Sequence, residues 1–329
     1  METVPDPDCV YVSAGSGVHN LRWLSALRRL GHHPVHIERD QYVSNQDFLG
    51  AVRTTAASGI PVIAGPLDIA LSLIHATDQL VFLSWGFDLQ EVASDLDLSV
   101  FTAVIVDSTA NERVARESGA SRIINIPWGI DIEAIDSDAS VADLSEYGID
   151  PDEPVLLSLR AHESRYRVSD IIEAFARRPR AARLVIGNSG SLTSTLRQLA
   201  AGLDVNAAFI PPIPEDRVPS LLRRASAYVT ASEVDGTSVT LLQAMACHVP
   251  IAASANSGNV DWIDDGVTGF LFPIANIDAL DTAIDRVLFA NPAVTQAARA
   301  QVEQRANWHT NIERLRTIPH LGAAKLNDT

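Results

Sequence analysis

The sequence predicts an α/β protein built from two doubly wound halves. Short β-branched or apolar runs alternate with helical segments, the pattern of strands laid parallel in a sheet. The alternation starts twice, at Cys9 and at Pro154, without an alignable repeat. A length of 329 residues is long for one core and comfortable for two.

The first half opens with a strand over Cys9–Ala14 and the turn Gly15-Ser16-Gly17. A helix follows, with Leu21, Leu24, Leu27 and Leu30 at every third position and Gly31 at its end. Pro34–Ile37 is the next strand. Strand, glycine turn, helix and strand make a Rossmann-like opening. The third glycine of a dinucleotide fingerprint is missing, so a nicotinamide-dependent oxidoreductase is the lesser alternative. Further strands are expected at 61–64, 80–84, 103–107 and 122–126. The Asp- and Ser-rich stretch 136–152 reads as a linker. In the second half strands are expected at 154–158, 183–187, 207–210, 226–230, 249–254 and 268–272, and residues 294–318 as helical. The domains predicted are 1–135, the linker 136–152, 153–292, and a C-terminal helix and tail over 293–329.

Composition narrows the function. The net charge of −16 argues against nonspecific nucleic-acid binding and against a basic membrane-docking face. No apolar run is long enough to span a bilayer, and the start lacks signal-peptide character. Cys9 and Cys247 have no metal-binding spacing and read as reduced core thiols of a cytoplasmic protein. His32, His33 and His36 lack acids at ligand spacing, so no metal site is expected. Lys325 is the only lysine, so cationic contacts within the body fall mainly to arginine. The run 177–183 holds four arginines and reads as a solvated helix end.

Chemistry concentrates in residues 231–250, ASEVDGTSVTLLQAMACHVP. Leu241, Leu242, Ala244, Met245 and Ala246 leave little solvent face, so the helix should be buried. Gly236, Thr237 and Ser238 precede it: glycine allows close backbone approach, and Thr or Ser can cap the helix. Free amides at the positive end of a helix make a site for phosphate. Asp235 would sit at its mouth. Gln243, polar in an apolar helix, requires partners.

This stretch resembles the nucleotide-binding signature of retaining glycosyltransferases of the two-Rossmann GT-B type, family 4. That family carries an acid, seven residues, Glu, Ala-Met-Ala, a Gly and Val-Pro. Here these are Asp235, Gln243 in place of Glu, 244–246, His248 in place of Gly, and Val249-Pro250. Residues 156–160, 172–175, 184–187 and 257–269 match other family segments; Trp85-Gly86-Phe87-Asp88 resembles His-Gly-x-Asp with Trp for His, and Pro127–Asp131 resembles the family's hinge.

The resemblance implies two Rossmann-like domains facing across a cleft, with a C-terminal helix crossing back to the first. It implies transfer of a sugar from a nucleotide-diphosphate donor, a UDP-sugar favoured, to an acceptor hydroxyl with retention. No cofactor or metal is implied, and no nucleic acid. The acceptor would be a small molecule, a glycan or a lipid-linked hydroxyl. Arg160 would hold the diphosphate. The family's following Lys falls at Arg165, Tyr166 or Arg167; Arg165 is preferred, with Arg167 in reserve. Asp235 would face the donor sugar, with Glu233 as a competing acid. Gly187, Gly236, Thr237, Ser238 and Val239 would line the donor, and Gln243 its ribose. Gly17, His19 and Asp88 are the acceptor-side candidates. His19 and Asp88 serve equally well as helix caps. The substitutions at Trp85, Gln243 and His248 raise the alternative of a nucleotide-sugar-binding protein with weak or no catalysis.

Overall fold

A computed structural model of the chain describes residues 6–57, 59–86, 88–90, 96–177, 182–318 and 321. Phe87, most of the arginine run (178–181) and Lys325 lie outside them. The chain divides into two compact units, Met1–Pro127 with Trp308–Thr329, and Trp128–Asn307.

The first unit is a six-stranded parallel sheet with strands β1 (Cys9–Ser13), β2 (Pro34–Glu38), β3 (Val62–Ala64), β4 (Leu80–Leu83), β5 (Ala103–Val106) and β6 (Ile123–Asn125), in the order β2-β1-β3-β4-β5-β6. Between them run helices α1 (Val18–Arg29), α2 (Asn45–Ala56), α3 (Leu67–Ser72) and α4 (Thr109–Glu117). α1 ends where Gly31 adopts a φ of 88°, the left-handed stop expected of that glycine. Ser44 and Ser108 cap α2 and α4 through their hydroxyls. Val10 and Val12 face α2 with Phe48 and Val52 in one core.

The second unit begins with α5 (Ile132–Ser137) and holds strands β7 (Val155–Ser158), β8 (Arg183–Gly187), β9 (Ala207–Ile210), β10 (Ala227–Thr230), β11 (Ile251–Ser254) and β12 (Phe270–Phe272). They lie parallel in the order β12-β11-β10-β7-β8-β9. The helices are α6 (Val168–Ala176), α7 (Thr193–Gly202), α8 (Val218–Arg224), α9 (Val239–Ala246), α10 (Ser257–Val260), α11 (Ile277–Leu288) and α12 (Pro292–Arg305). Successive strand residues point to opposite faces. Val155, Leu157 and Tyr228 therefore pack with α9 and α12, while Leu156, Ala227 and Val229 pack with α6 and α11. Both faces are covered, which is why these strands are apolar along their whole length.

Two sequence expectations are corrected. The stretch 136–152 is no free linker: Leu144 and Ile149 are 5% and 2% exposed in the core of the second unit. Its Asp and Ser residues are the solvent side of a segment anchored by these apolar residues. The helical stretch 294–318 is broken. α12 stops at Arg305, Ile130 N donates to Ala306 O, and Ile130 forms an isolated bridge with Asn307. A short helix α13 (Trp308–Ile312) then joins the first unit, where Trp308 meets Trp23 edge-on at 5.3 Å and Arg22 lies over its ring. Asn311 Nδ2 donates to Pro127 O at 3.0 Å.

Candidate active site

In an open parallel sheet, ligands collect beyond the carboxyl ends of the strands where the strand order reverses. In the second unit the reversal falls between β7 and β10, since β7 has β8 on one side and β10 on the other. The loops leaving these two strands carry Arg160 and Asp235.

They are tied into one assembly. Arg160 Nη2 lies 2.5 Å from Asp235 Oδ2, and Nη1 donates to Ser238 Oγ at 3.0 Å. The guanidinium stands 4.4 Å over the ring of Tyr166. Glu233 N donates to Arg165 O at 2.8 Å, and Arg167 Nη1 donates to Glu233 Oε1 at 2.6 Å. Glu233, the competing acid, is therefore engaged in joining the loops. Arg167 adopts a φ of 46° ahead of α6 and also pairs with Asp170, so the reserve cation is committed to structure. Arg165 is half-buried and offers its carbonyl to the same junction. Tyr166, one of the three positions weighed for a second cation, lies under the Arg160 guanidinium. The structure thus puts an aromatic ring beside Arg160.

Ser238 caps α9, accepting from Leu241 N. Leu241 to Ala246 are all buried, as the sequence pattern required, and Gln243 among them is 6% exposed. His248, in the place where the resembled family has glycine, adopts a φ of 57°, the left-handed conformation that glycine takes most readily. Cys247 is a half-buried free thiol at this far end of α9, beside Arg223 and Arg299.

The loop 231–238 is braced from the next strand. Ser254 Oγ and Asn256 Nδ2 both donate to Ser232 O, at 2.6 and 3.0 Å. Trp262 Nε1 donates to Thr237 Oγ1 at 3.4 Å. Gly258 packs so closely that a Cβ there would stand 2.0 Å from Gly236 O. On the other side, a Cβ at Gly187 would stand 2.5 Å from Leu159 Cδ2, so that glycine admits the start of the Arg160 loop. His162, fully buried, extends this brace: its N–H donates to Ser189 O, and its Nδ1 lies 2.9 Å from Thr193 Oγ1. Burial pushes its imidazole below the ordinary range.

Burial also lifts the Asp235 carboxyl above the usual carboxylate range, and Arg160 offsets only part of the lift. Arg160 Nε and the Tyr228 hydroxyl are buried without hydrogen-bond partners. Each such group costs about 1–3 kcal/mol until something satisfies it. The site thus gathers a buried cation, an acid with a lifted pKa and the N-terminus of a helix at the switch point. This set can hold a phosphate and offer a carboxylate to a neighbouring polar group.

In the first unit the order reverses between β1 and β3. Gly17 precedes α1, and His19 is exposed with its ring 6.3 Å from that of Trp85. The indole of Trp85 closes over Gly65, where a Cβ would stand 2.7 Å from Nε1. Asp88 braces its own loop: Oδ1 accepts from Ser84 Oγ at 2.6 Å, and Oδ2 accepts from Trp85 N at 2.9 Å and Leu67 N at 3.3 Å. Both oxygens are in use, which gives Asp88 a structural role. His32 and His36 pair with Asp8 and Glu38, and no group of three potential metal ligands occurs among the described residues.

The braces from Ser254, Asn256 and Gly258, the Tyr166 ring and the Tyr228 hydroxyl are absent from the sequence reading. The run 257–269 was recognised as a segment, but its contact with residues 232–237 depends on strand order and has no local signature.

Comparison with known proteins fits this geometry. Residues 142–310, just over half the chain, match the model of the family described as glycosyl transferases group 1. The chain belongs to the glycosyl transferases group 1 family. Among group 1 relatives, a GDP-mannose-dependent alpha-(1-6)-phosphatidylinositol monomannoside mannosyltransferase of Mycolicibacterium smegmatis is 28% identical over 246 residues, covering 69% of this chain and 63% of the relative. The fold is shared with HepE of Anabaena, crystallised with UDP and glucose (TM-score 0.76, 16% identity, 93% of this chain and 98% of that one). It is shared also with a glycosyltransferase of Rickettsia africae (TM-score 0.77, 15% identity, 98% and 100%). The two parallel sheets with their helices are those of the GT-B fold.

Proposed function

We propose that this chain transfers a sugar from a nucleotide-diphosphate donor to an acceptor hydroxyl, with retention of configuration and without a metal ion. The observation that carries this is the meeting of Arg160, Asp235 and the capped start of α9 at the β7–β10 switch point. As the glycosidic bond to the donor breaks, negative charge gathers on the departing diphosphate. Arg160 and the amides of residues 236–239 lower the barrier by meeting that charge in a buried setting. Asp235 faces the sugar, where it hydrogen-bonds a hydroxyl or steadies the positive charge developing on the ring. Gln243 holds the ribose. With attack from the same face, the leaving phosphate takes the acceptor's proton, so catalysis rests on positioning. The acceptor, a small molecule, a glycan or a lipid-linked hydroxyl, is assigned to the first unit, beside Gly17 and His19. Two free cysteines support a reducing compartment such as the cytoplasm.

A thermal-shift panel of UDP, GDP and ADP tests the donor side, with the uridine form first. The relative named above is called GDP-mannose-dependent, and HepE was crystallised with UDP, so the panel carries both. A diphosphate at one hundred times its Kd should stabilise the fold by about 2.7 kcal/mol. No shift with any of them overturns the reading. Transfer assayed with EDTA present, and the anomeric configuration of the product read by NMR, test metal independence and retention. Binding without transfer to any acceptor or to water would favour the binding-protein reading that Trp85 and Gln243 motivate.

Gln243→Ala is expected to weaken nucleoside diphosphate binding by about 1–2 kcal/mol, the scale of hydrogen bonds lost at a buried site. Inorganic pyrophosphate should bind both proteins alike. Calorimetric titration checks this, and equal loss for both ligands would move Gln243 away from the ribose.

A further inference from the structure

The guanidinium of Arg160 is surrounded by groups of the protein itself. One nitrogen faces the Asp235 carboxylate at 2.5 Å, and another bonds the capping hydroxyl of Ser238. The plane rests on Tyr166. The paired side chains are 11% and 16% exposed. A carboxylate and a phosphate make the same demand on a guanidinium, two acceptor oxygens offered to its fork. Resting on the donor-site reading above, we infer that Asp235 is a built-in substitute for the diphosphate: it holds Arg160 in place in the free protein and is displaced from it when a nucleoside diphosphate binds.

Three observations support an exchange over a permanent strut. The pair is incompletely satisfied, since Arg160 Nε is buried without a hydrogen-bond partner, as is the nearby Tyr228 hydroxyl. An incoming phosphate supplies acceptors for the arginine, and the freed carboxylate gains a donor in a sugar hydroxyl. Arg167 cannot take over from Arg160, because Asp170 and Glu233 already hold it. Ser238 Oγ accepts from both Arg160 and Leu241 N, so the arginine stays attached to the α9 cap while its other face changes partner. Asp235 therefore weakens ground-state binding of the diphosphate while orienting the sugar for transfer. A site of this kind spends part of its attraction for the donor on the reacting geometry.

The test is a double-mutant cycle on UDP and GDP affinity by calorimetry, using Asp235→Asn, Arg160→Met and the pair. Asp235→Asn should tighten binding of the preferred diphosphate by about five- to tenfold and lower the transfer rate. The loss caused by Arg160→Met should be several-fold greater in the Asn background than in the wild type, because there the arginine is free to engage phosphate. Asp235→Ser repeats the measurement with a smaller side chain should the Asn variant fold poorly. If the wild type binds a diphosphate and neither Asp235 variant binds it more tightly, the exchange is overturned and the donor site stands. Equal tightening with and without Arg160 would mean simple charge repulsion and also overturns it. If no variant and no wild-type protein binds either diphosphate, the donor-site reading falls as well.

Discussion

Arg160→Ala is expected to lower kcat/KM for sugar transfer by about 10²- to 10³-fold, the usual cost of removing one preorganised donor from a site of developing charge. Arg167 is held by two carboxylates and is not free to compensate. Arg160→Lys should restore only part of the activity, because lysine keeps the charge but loses the two-pronged geometry and the stacking on Tyr166. Arg160→Ala also leaves Asp235 buried without its counter-ion. Its carboxyl, lifted by burial even in the wild type, then rises further. A carboxyl with a raised folded-state pKa binds protons more strongly in the native state, so the native state loses stability as pH rises. The stability deficit of Arg160→Ala relative to wild type should therefore widen from about pH 4, the unfolded carboxyl range, toward neutrality. Steady-state kinetics and urea unfolding across pH check both halves. A kcat/KM within twofold of wild type removes Arg160 from the site.

Gly258→Ala should be the most damaging single-methyl change in the second unit. The added carbon would stand 2.0 Å from Gly236 O and 2.7 Å from Asp235 O, and both obstacles are backbone. Either α10 or the donor loop must move, at about 1–3 kcal/mol for overpacking. A unit of this size loses about 2–4 °C in Tm for each kcal/mol. Because both obstacles belong to the donor loop, nucleotide affinity should fall along with stability. Gly50→Ala is the internal control: Gly50 lies inside α2 with nothing within 4 Å of the added carbon. That change should stabilise by about 0.5–1 kcal/mol through helix propensity alone. Thermal melts and diphosphate titrations of the two variants test the contrast. A Gly258→Ala protein as stable and as tight-binding as wild type would mean that the close approach of α10 is not real.

The alternation of apolar runs and helices was enough to locate the twelve strands of the described residues, because most of them are covered on both faces and so are largely apolar. The α9 stretch was equally legible, from the capping Ser238 to the unbroken burial of 241–246. Segments whose surface composition conceals one or two anchors were not. Asp and Ser dominate 136–152, yet Leu144 and Ile149 fasten it to the core. Long-range pairings were out of reach for a related reason. Arg165 and Arg167 are indistinguishable by spacing, whereas in the fold Arg167 pairs with Glu233, sixty-six positions away. Tyr166 gave no signal because its contact with Arg160 depends on how the loop turns after β7.

Trp308 and its neighbours have a consequence for how the protein is made. The first unit is assembled from two separated lengths of chain, whereas the second is continuous. As synthesis proceeds from the N-terminus, the earlier sheet emerges without Trp308 against Trp23 and without Asn311 on Pro127. Those contacts must wait until the stretch that follows Asn307 has left the ribosome. The stretch from Trp128 to Asn307 can thus be native before the unit that precedes it is complete.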